Sequence, residues 1–149
     1  MKYIKYFILF LISSCIDLSP GIQQNWQCYT IKQGKHRSVN KIDNAYSQIK
    51  FQADLSDAIY DTTALGVDKY DWNKLYGITS SQIHQDSYRI GFRLLNHQWQ
   101  FSAYWYKDGK RYSQYLGSCN INDKPVFIID ARDDNTCLFK MDNNNIIID

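Results

Sequence analysis

The sequence predicts an all-β protein, a single-domain antiparallel β-sandwich of a jelly-roll-like kind. Its 149 residues include 12 Tyr, 7 Phe and 4 Trp, residue types that favour strands. Apolar and polar residues alternate along several short segments, as in half-buried strands. Asp-Gly and Asn-His pairs separate three of these segments and indicate hairpins. Such a series of short strands with turn signals between them is typical of a sandwich or a barrel.

The predicted elements follow one another with short connections, apart from one long gap. The strands are expected at residues 26–33, 46–55, 88–95, 98–107, 110–117, 125–131 and 136–141, with a frayed last strand near the C-terminus. Residues 56–87 are the least regular part of the chain and are expected to form one long irregular loop. Within this stretch, YDWNKLYGI (residues 70–78) is interpreted as a helical turn or an ordered loop.

The N-terminus has the order of residues that is typical of a secretory signal. Lys2 and Lys5 precede a short apolar run, and two serines then lead to Cys15. The segment Ile12-Ser13-Ser14-Cys15 resembles the lipobox of a bacterial lipoprotein signal, in which the cysteine becomes the lipidated N-terminus. A bilayer-spanning helix needs about 20 apolar residues, and this run is shorter. An ordinary cleaved signal peptide and a retained anchor are the alternatives.

The resemblance to a lipoprotein signal implies a domain organisation and a location. Residues 1–14 are expected to be a signal peptide, residues 15–25 a tether carrying lipid such as palmitate on Cys15, and residues 26–149 the sandwich domain. Two or more acyl chains anchor a protein stably to a membrane. The expected location is therefore the cell envelope, as a membrane-anchored lipoprotein that faces the periplasm or belongs to the outer membrane.

Composition excludes several classes of function. Lys2 and Lys5 belong to the signal, so residues 15–149 carry 15 basic and 15 acidic residues. This balance argues against a nucleic-acid partner, which requires a basic surface. All 15 acidic residues are Asp, so a zinc site of the HExxH type is excluded. We expect no metal, because the calcium-binding EF-hand pattern is absent and Asp and Asn near the C-terminus are favoured in turns for local hydrogen bonding; we also expect no cofactor.

Three cysteines remain in the expected mature chain, namely Cys28, Cys119 and Cys137. An exported protein can form disulfides, but three thiols allow only one intramolecular bridge. Cys119 and Cys137 flank a predicted strand–turn unit, so we expect a disulfide between them.

Alternation along the predicted meander assigns side chains to two faces of a sheet. If the apolar residues face the core, a set of arginine, glutamine and tyrosine side chains shares the outer face: Arg89, Arg93, Gln100, Tyr104 and Tyr106, with Arg111 and Tyr115 as extensions. Arginine forms bidentate hydrogen bonds and tyrosine offers a flat apolar ring with a hydroxyl group. The sequence therefore predicts a surface for a glycan or a small anionic ligand. Ordinary cross-strand pairing on a solvated sheet is the alternative.

Two histidine-containing loops could lie at the edge of this surface. His36 and Ser38 follow Gly34, and His84 lies near the end of the irregular stretch. Catalysis would require a nucleophile, a base and an orienting carboxylate to converge, which the spacing does not demand. We therefore assign no catalytic residue, and a hydrolase using His36 or His84 is the alternative to a binding or structural module of the envelope.

Residues 29–117 also resemble a group of small β-rich proteins of unknown function from Gram-negative bacteria and their phages. The resemblance rests on GKHRS, YDWNKLYGI and YRIGFRLLNHQWQFSAYWYKDGKRYSQYLG. It implies that the loop and sheet residues form one constellation: His36, Ser38, His84, Arg89, Arg93, Tyr104 and Tyr106. Gln85 stands where the group has a second histidine, which argues against a metal site.

Overall fold

The computed structural model describes residues 28, 30, 47–56, 58, 70–79, 84–132 and 134–149. These residues form eight β-strands and no α-helix, which confirms the predicted all-β class. The strands are β1 (Gln48–Gln52), β2 (Asn73–Thr79), β3 (Ser87–Leu95), β4 (Gln98–Lys107), β5 (Lys110–Asn120), β6 (Val126–Ala131), β7 (Cys137–Met141) and β8 (Asn144–Ile148).

The strands form two antiparallel four-stranded sheets that pack face to face. The first sheet has the order β1-β6-β7-β8 and the second the order β2-β3-β4-β5. A jelly roll contains two Greek keys. Here β2 to β5 and β6 to β8 pair with their neighbours in sequence, and the chain crosses between the sheets twice, from β1 to β2 and from β5 to β6. The sandwich is therefore confirmed, but the described strands do not have the jelly-roll-like order.

Aromatic rings from the two sheets meet in the core. Phe101 of β4 lies 4.9 Å from Phe127 of β6 between ring centroids. Tyr88 and Trp105 of the second sheet both approach Phe139 of β7, at 6.2 Å and 6.5 Å. Because Phe101, Phe127 and Phe139 are fully buried, these contacts exclude water and hold the two sheets together.

The hairpin turns have the backbone that their residues predict. Asp108 and Gly109 have positive φ angles of 52° and 73°, and Asn96 and His97 have φ angles of 54° and 59°. A type I′ turn requires positive φ at both central positions. The predicted β3–β4–β5 meander is therefore confirmed, with β4 at residues 98–107 as expected.

One prediction of local structure is wrong. The irregular loop expected at residues 56–87 contains β2, an edge strand that pairs with β3. Its register shifts between Lys74 and Gly77, and this bulge interrupts the alternation by which a strand is recognised. A Cβ atom at Gly77 would lie 2.0 Å from the carbonyl oxygen of Tyr88, so the close pairing of β2 with β3 requires glycine there.

A buried carboxylate fastens the end of β1 to the β5–β6 connection. Asp54 forms an ion pair with Lys124 at 2.7 Å and accepts hydrogen bonds from the Ser56 backbone at 3.1 Å and hydroxyl at 2.6 Å. Burial alone would raise the pKa of Asp54. The bonds from Lys124 and Ser56 outweigh burial and place the pKa below its ordinary value.

The predicted signal peptide, Cys15, the tether and nearly all of the predicted strand at residues 26–33 lie outside the described residues. Within the described part of the chain, no helix is long and apolar enough to cross a membrane.

Candidate functional site

Cross-strand register brings the predicted sheet residues together on one face. Arg89 lies opposite Tyr104, and Arg93 lies opposite Gln100. Their neighbours in sequence, such as Phe92 opposite Phe101, contribute to the core instead. The predicted division of β3 and β4 into two faces therefore matches the register. We call the side of the second sheet that points away from the first sheet the outer face.

One half of the outer face is covered by the residues that precede β2. Arg93 donates a hydrogen bond from Nη1 to the carbonyl oxygen of Tyr70 at 2.6 Å and another from Nε to Gln100 at 3.0 Å. Its guanidinium carbon lies 4.1 Å from the centroid of the Trp72 ring. We call Tyr70, Trp72, Arg93 and Gln100 the arginine clamp. Their contacts hold residues 70–72, which come just before β2, against the outer face.

A small residue beneath Trp72 makes the close approach of this segment possible. A Cβ atom at Gly91 would lie 2.4 Å from the Ser102 hydroxyl oxygen and 3.2 Å from the Trp72 Cβ. Ser102 is fully buried, and its hydroxyl has no hydrogen-bond partner among the described residues. The clamp is therefore packed too tightly for any larger side chain at position 91.

The other half of the outer face carries two tyrosines surrounded by cations. The Tyr104 and Tyr106 hydroxyls are 3.4 Å apart, and their rings meet edge to face at 5.9 Å. Lys74 Nζ lies 5.3 Å from the centroid of the Tyr104 ring. Arg111 is the register partner of Tyr106. We call Lys74, Arg89, Tyr104, Tyr106 and Arg111 the tyrosine–cation cluster.

The charged groups that act on the cluster's tyrosines are cationic. The hydrogen bond with Tyr104 and partial burial raise the pKa of Tyr106, while Lys74 and Arg111 oppose this shift. Burial lowers the pKa of Arg89, and its interactions with Tyr104 and Tyr106 partly offset that effect. Like any tyrosine with an ordinary or raised pKa, Tyr106 keeps its proton at neutral pH and can donate a hydrogen bond. No described ion pair involves Lys74 or Arg111.

His84 lies at the edge of the cluster, as predicted, with its ring 5.2 Å from that of Tyr106 in an edge-to-face contact. The turn that contains it is fastened to the β4–β5 hairpin. The Gly109 backbone N–H donates to the carbonyl oxygen of Gln85 at 3.1 Å, and that of Asp108 donates to the Asp86 carboxylate at 3.3 Å. Among the described residues, His84 makes no hydrogen bond with a carboxylate, which a catalytic histidine would use for orientation.

The structure places the predicted ligand residues in different surroundings. Tyr104 is only 2% exposed, so its ring is not the open platform that a sugar would stack on. Arg93 and Gln100 use their polar groups within the clamp. Tyr106, Arg89 and His84 retain exposed surface. His36 and Ser38 lie outside the described residues.

Sequence reasoning missed Trp72 and Lys74, which contact Arg93 and Tyr104 respectively. Both lie in YDWNKLYGI, where their two-residue spacing places them on the same side of the chain. The register shift between Lys74 and Gly77 interrupts the alternation of side chains, so the segment was not recognised as a strand from its sequence.

The cysteines and the acidic turns have no role at this face. Cys119 and Cys137 are free thiols, so the disulfide expected between them is not present. These two lie in different sheets, and burial raises the pKa of Cys119 to about 11 and that of Cys137 to about 12. Asp123, Asp134 and Asp142 accept hydrogen bonds from nearby backbone N–H groups. The described residues contain no cluster of His, Cys, Asp or Glu suited to a metal ion.

Comparison with known proteins gives no family for this chain, because no family model, curated protein or solved structure matches it. The resemblance to small β-rich bacterial and phage proteins therefore stays a prediction.

Proposed function

We propose that the chain is an exported, lipid-anchored binding module of the cell envelope, and that its tyrosine–cation cluster binds an anionic ligand. The observation that carries the binding proposal is the surplus of positive charge at the Tyr104–Tyr106 pair. Lys74 and Arg111 both act on Tyr106, and neither is in an ion pair among the described residues. A carboxylate, sulfate or phosphate ester would supply the missing negative charge.

The cluster offers groups that suit an anion better than a neutral sugar. Lysine and arginine side chains are hydrogen-bond donors without acceptor capacity. Tyr106 adds a hydroxyl that is protonated at neutral pH, as that of an ordinary tyrosine is, and its raised pKa keeps it so. Hydrogen bonds from charged donors to an oxyanion are about twice as strong as those between neutral groups. An acidic glycan or a phosphate ester is therefore favoured over a neutral oligosaccharide.

The expected location rests on the N-terminal sequence. Lys2, Lys5, the apolar run and Cys15 support export and lipidation. Labelling of cells with a palmitate analogue tests this directly: the chain should take up the label, and Cys15→Ala should not. Continued labelling of Cys15→Ala would contradict lipidation at this residue.

A structural role in the envelope is the second candidate, and the burial of Tyr104 favours it. At 2% exposure, Tyr104 serves packing, and the clamp covers the neighbouring half of the face. This role predicts that the chain binds no small anion.

Titration calorimetry with a trimer of galacturonic acid and its neutral methyl ester tests the binding proposal. The acid should bind, and the ester should bind at least tenfold more weakly. Lys74→Ala should lower the affinity for the acid about tenfold, the effect of losing one charge-assisted hydrogen bond. Lys140→Ala is the matched control, because Lys140 belongs to β7 in the other sheet. Equal loss in both variants, or no binding of the acid, of inorganic phosphate and of sulfate, would reject the proposal.

A further inference from the structure

The end of the β4–β5 hairpin is exposed on both of its faces. Residues 107–115 are all exposed, although they include most of β5 and its turn. Tyr112 is 42% exposed. In the core of a sandwich, the inward-pointing residues of such a strand would be covered by the opposite sheet. Here the hairpin extends past the part of the second sheet that the first sheet covers.

Basic and aromatic side chains share the side of the hairpin that is opposite the tyrosine–cation cluster. Lys107 and Lys110 lie opposite each other next to the turn. Trp105 and Tyr112 also lie opposite each other, two positions further from the turn along each strand. Because side chains alternate along a strand, these four lie on one side, while Tyr106 and Arg111 lie on the other. The two lysines are exposed, and no described ion pair involves either.

The hairpin tip is held in place by contacts with the turn at residues 84–86. The Gly109 backbone N–H bonds to Gln85, and that of Asp108 bonds to Asp86, at 3.1 Å and 3.3 Å. The Trp105 and Tyr112 rings stack with centroids 5.5 Å apart and 17° between their planes. Little ordering of these groups would therefore be needed on binding, which favours association.

We propose that this side of the hairpin tip docks onto the surface of an anionic phospholipid bilayer. Lys107 and Lys110 would contact lipid phosphates, and Tyr112 would enter the headgroup layer. Tyrosine and tryptophan are enriched at membrane–water interfaces, because one part of each ring is apolar and another is polar. Basic side chains next to an anionic surface add electrostatic attraction. This surface is distinct from the cluster and does not depend on the anion proposed there.

The arrangement of the rings favours a bilayer over a polysaccharide. A sugar stacks on an open aromatic face, but Trp105 has Tyr112 on it at 5.5 Å and Phe139 nearby at 6.5 Å. The exposed aromatic surface is therefore mainly that of Tyr112, which carries a hydroxyl group. Insertion into headgroups needs only such an amphipathic ring beside cations.

Vesicle co-sedimentation tests the proposal on residues 15–149, the expected mature chain, carrying Cys15→Ala, so that neither an acyl chain nor the apolar run of the signal contributes. The vesicles are pure phosphatidylcholine or phosphatidylcholine with one quarter phosphatidylglycerol. The anionic vesicles should bind the chain more tightly than the neutral ones. The double variant Lys107→Gln/Lys110→Gln should weaken binding to anionic vesicles about 25-fold, since each lysine near such a surface contributes about fivefold. Tyr112→Ser should weaken binding to both kinds of vesicle.

The matched control is Lys50→Gln/Lys140→Gln, which removes the same charge from the outside of the first sheet, where both residues flank Ile128. This control should bind like the parent chain. Equal binding of both double variants would overturn the proposal. Loss of vesicle binding in Lys74→Ala would also overturn it, because the cluster would then be the membrane site. If Lys74→Ala lowers the affinity for galacturonate about tenfold but leaves vesicle binding unchanged, both proposals stand separately.

Discussion

Arg93 and Arg111 are both arginines beside aromatic rings on the outer face of the second sheet, but their surroundings differ. Arg93 donates to Tyr70 and Gln100 and lies on the Trp72 ring. Arg111 is exposed and acts on Tyr106, and it is in no described hydrogen bond or ion pair. The same residue type therefore stabilises packing in the clamp and leaves charge available in the cluster. Alternation along a strand places both arginines correctly but does not distinguish these roles.

The largest effect is expected where the clamp is packed most closely. Gly91→Ala would place a methyl group 2.4 Å from the Ser102 hydroxyl and 3.2 Å from Trp72. Overpacking of this kind lowers the free energy of unfolding by about 3 kcal/mol. Urea denaturation measures this loss. Since Ser102 is the nearest group, Gly91→Ala/Ser102→Gly should recover at least half of the stability, and no recovery would show that Trp72 or the backbone is the obstacle.

Removal of the Arg93 side chain should also lower the free energy of unfolding. Arg93→Ala removes two charge-assisted hydrogen bonds and the contact with Trp72. We expect unfolding to become easier by about 2 kcal/mol. Arg93→Lys keeps the charge but lacks the planar guanidinium with its several N–H donors. It should therefore lose more than half as much stability as Arg93→Ala does. An unchanged melting temperature in Arg93→Ala would contradict the clamp.

A smaller, pH-dependent effect is expected away from the outer face, at Asp54. Its pKa in the folded chain is lowered, so the unfolded chain takes up the proton first as the pH falls. The stability that Asp54 contributes is present above its ordinary pKa of about 3.9 and is lost as the pH falls through the folded value. Urea denaturation at pH 6 and pH 3 should show that Asp54→Asn loses less stability between these values than the parent chain does. An equal loss in both chains would mean that other carboxylates account for the acid sensitivity.

Much of the fold follows from the sequence because its turns and alternation agree. Positive φ at Asp108 and Gly109 suits Asp-Gly, and the β4 bounds match the predicted segment. β2 was not predicted, because the bulge after Lys74 breaks its period. The strand order of the two sheets differs from the jelly-roll-like arrangement expected, since it depends on long-range pairing such as that of β1 with β6.

The candidate site was predicted only in part for the same physical reason. Arg89, Tyr104 and Tyr106 share a face as their spacing indicates. The burial of Tyr104 and the contacts of Arg93 depend on other segments, including Trp72 and Lys74 of the unpredicted strand region. Local patterns specify which face a side chain occupies, while the groups that cover it come from elsewhere in the chain.

The central claim is that the clamp maintains the fold while the cluster binds an anion. The direct test titrates galacturonate trimer into Arg93→Ala and Lys74→Ala/Arg111→Ala and records the melting temperature of each variant. Arg93→Ala should melt several degrees lower, with its affinity changed less than threefold at a temperature where it is folded. Lys74→Ala/Arg111→Ala should keep its melting temperature, since exposed charges contribute at most about 0.5 kcal/mol to stability, and should bind at least 50-fold more weakly. Full affinity in the double variant would contradict the account.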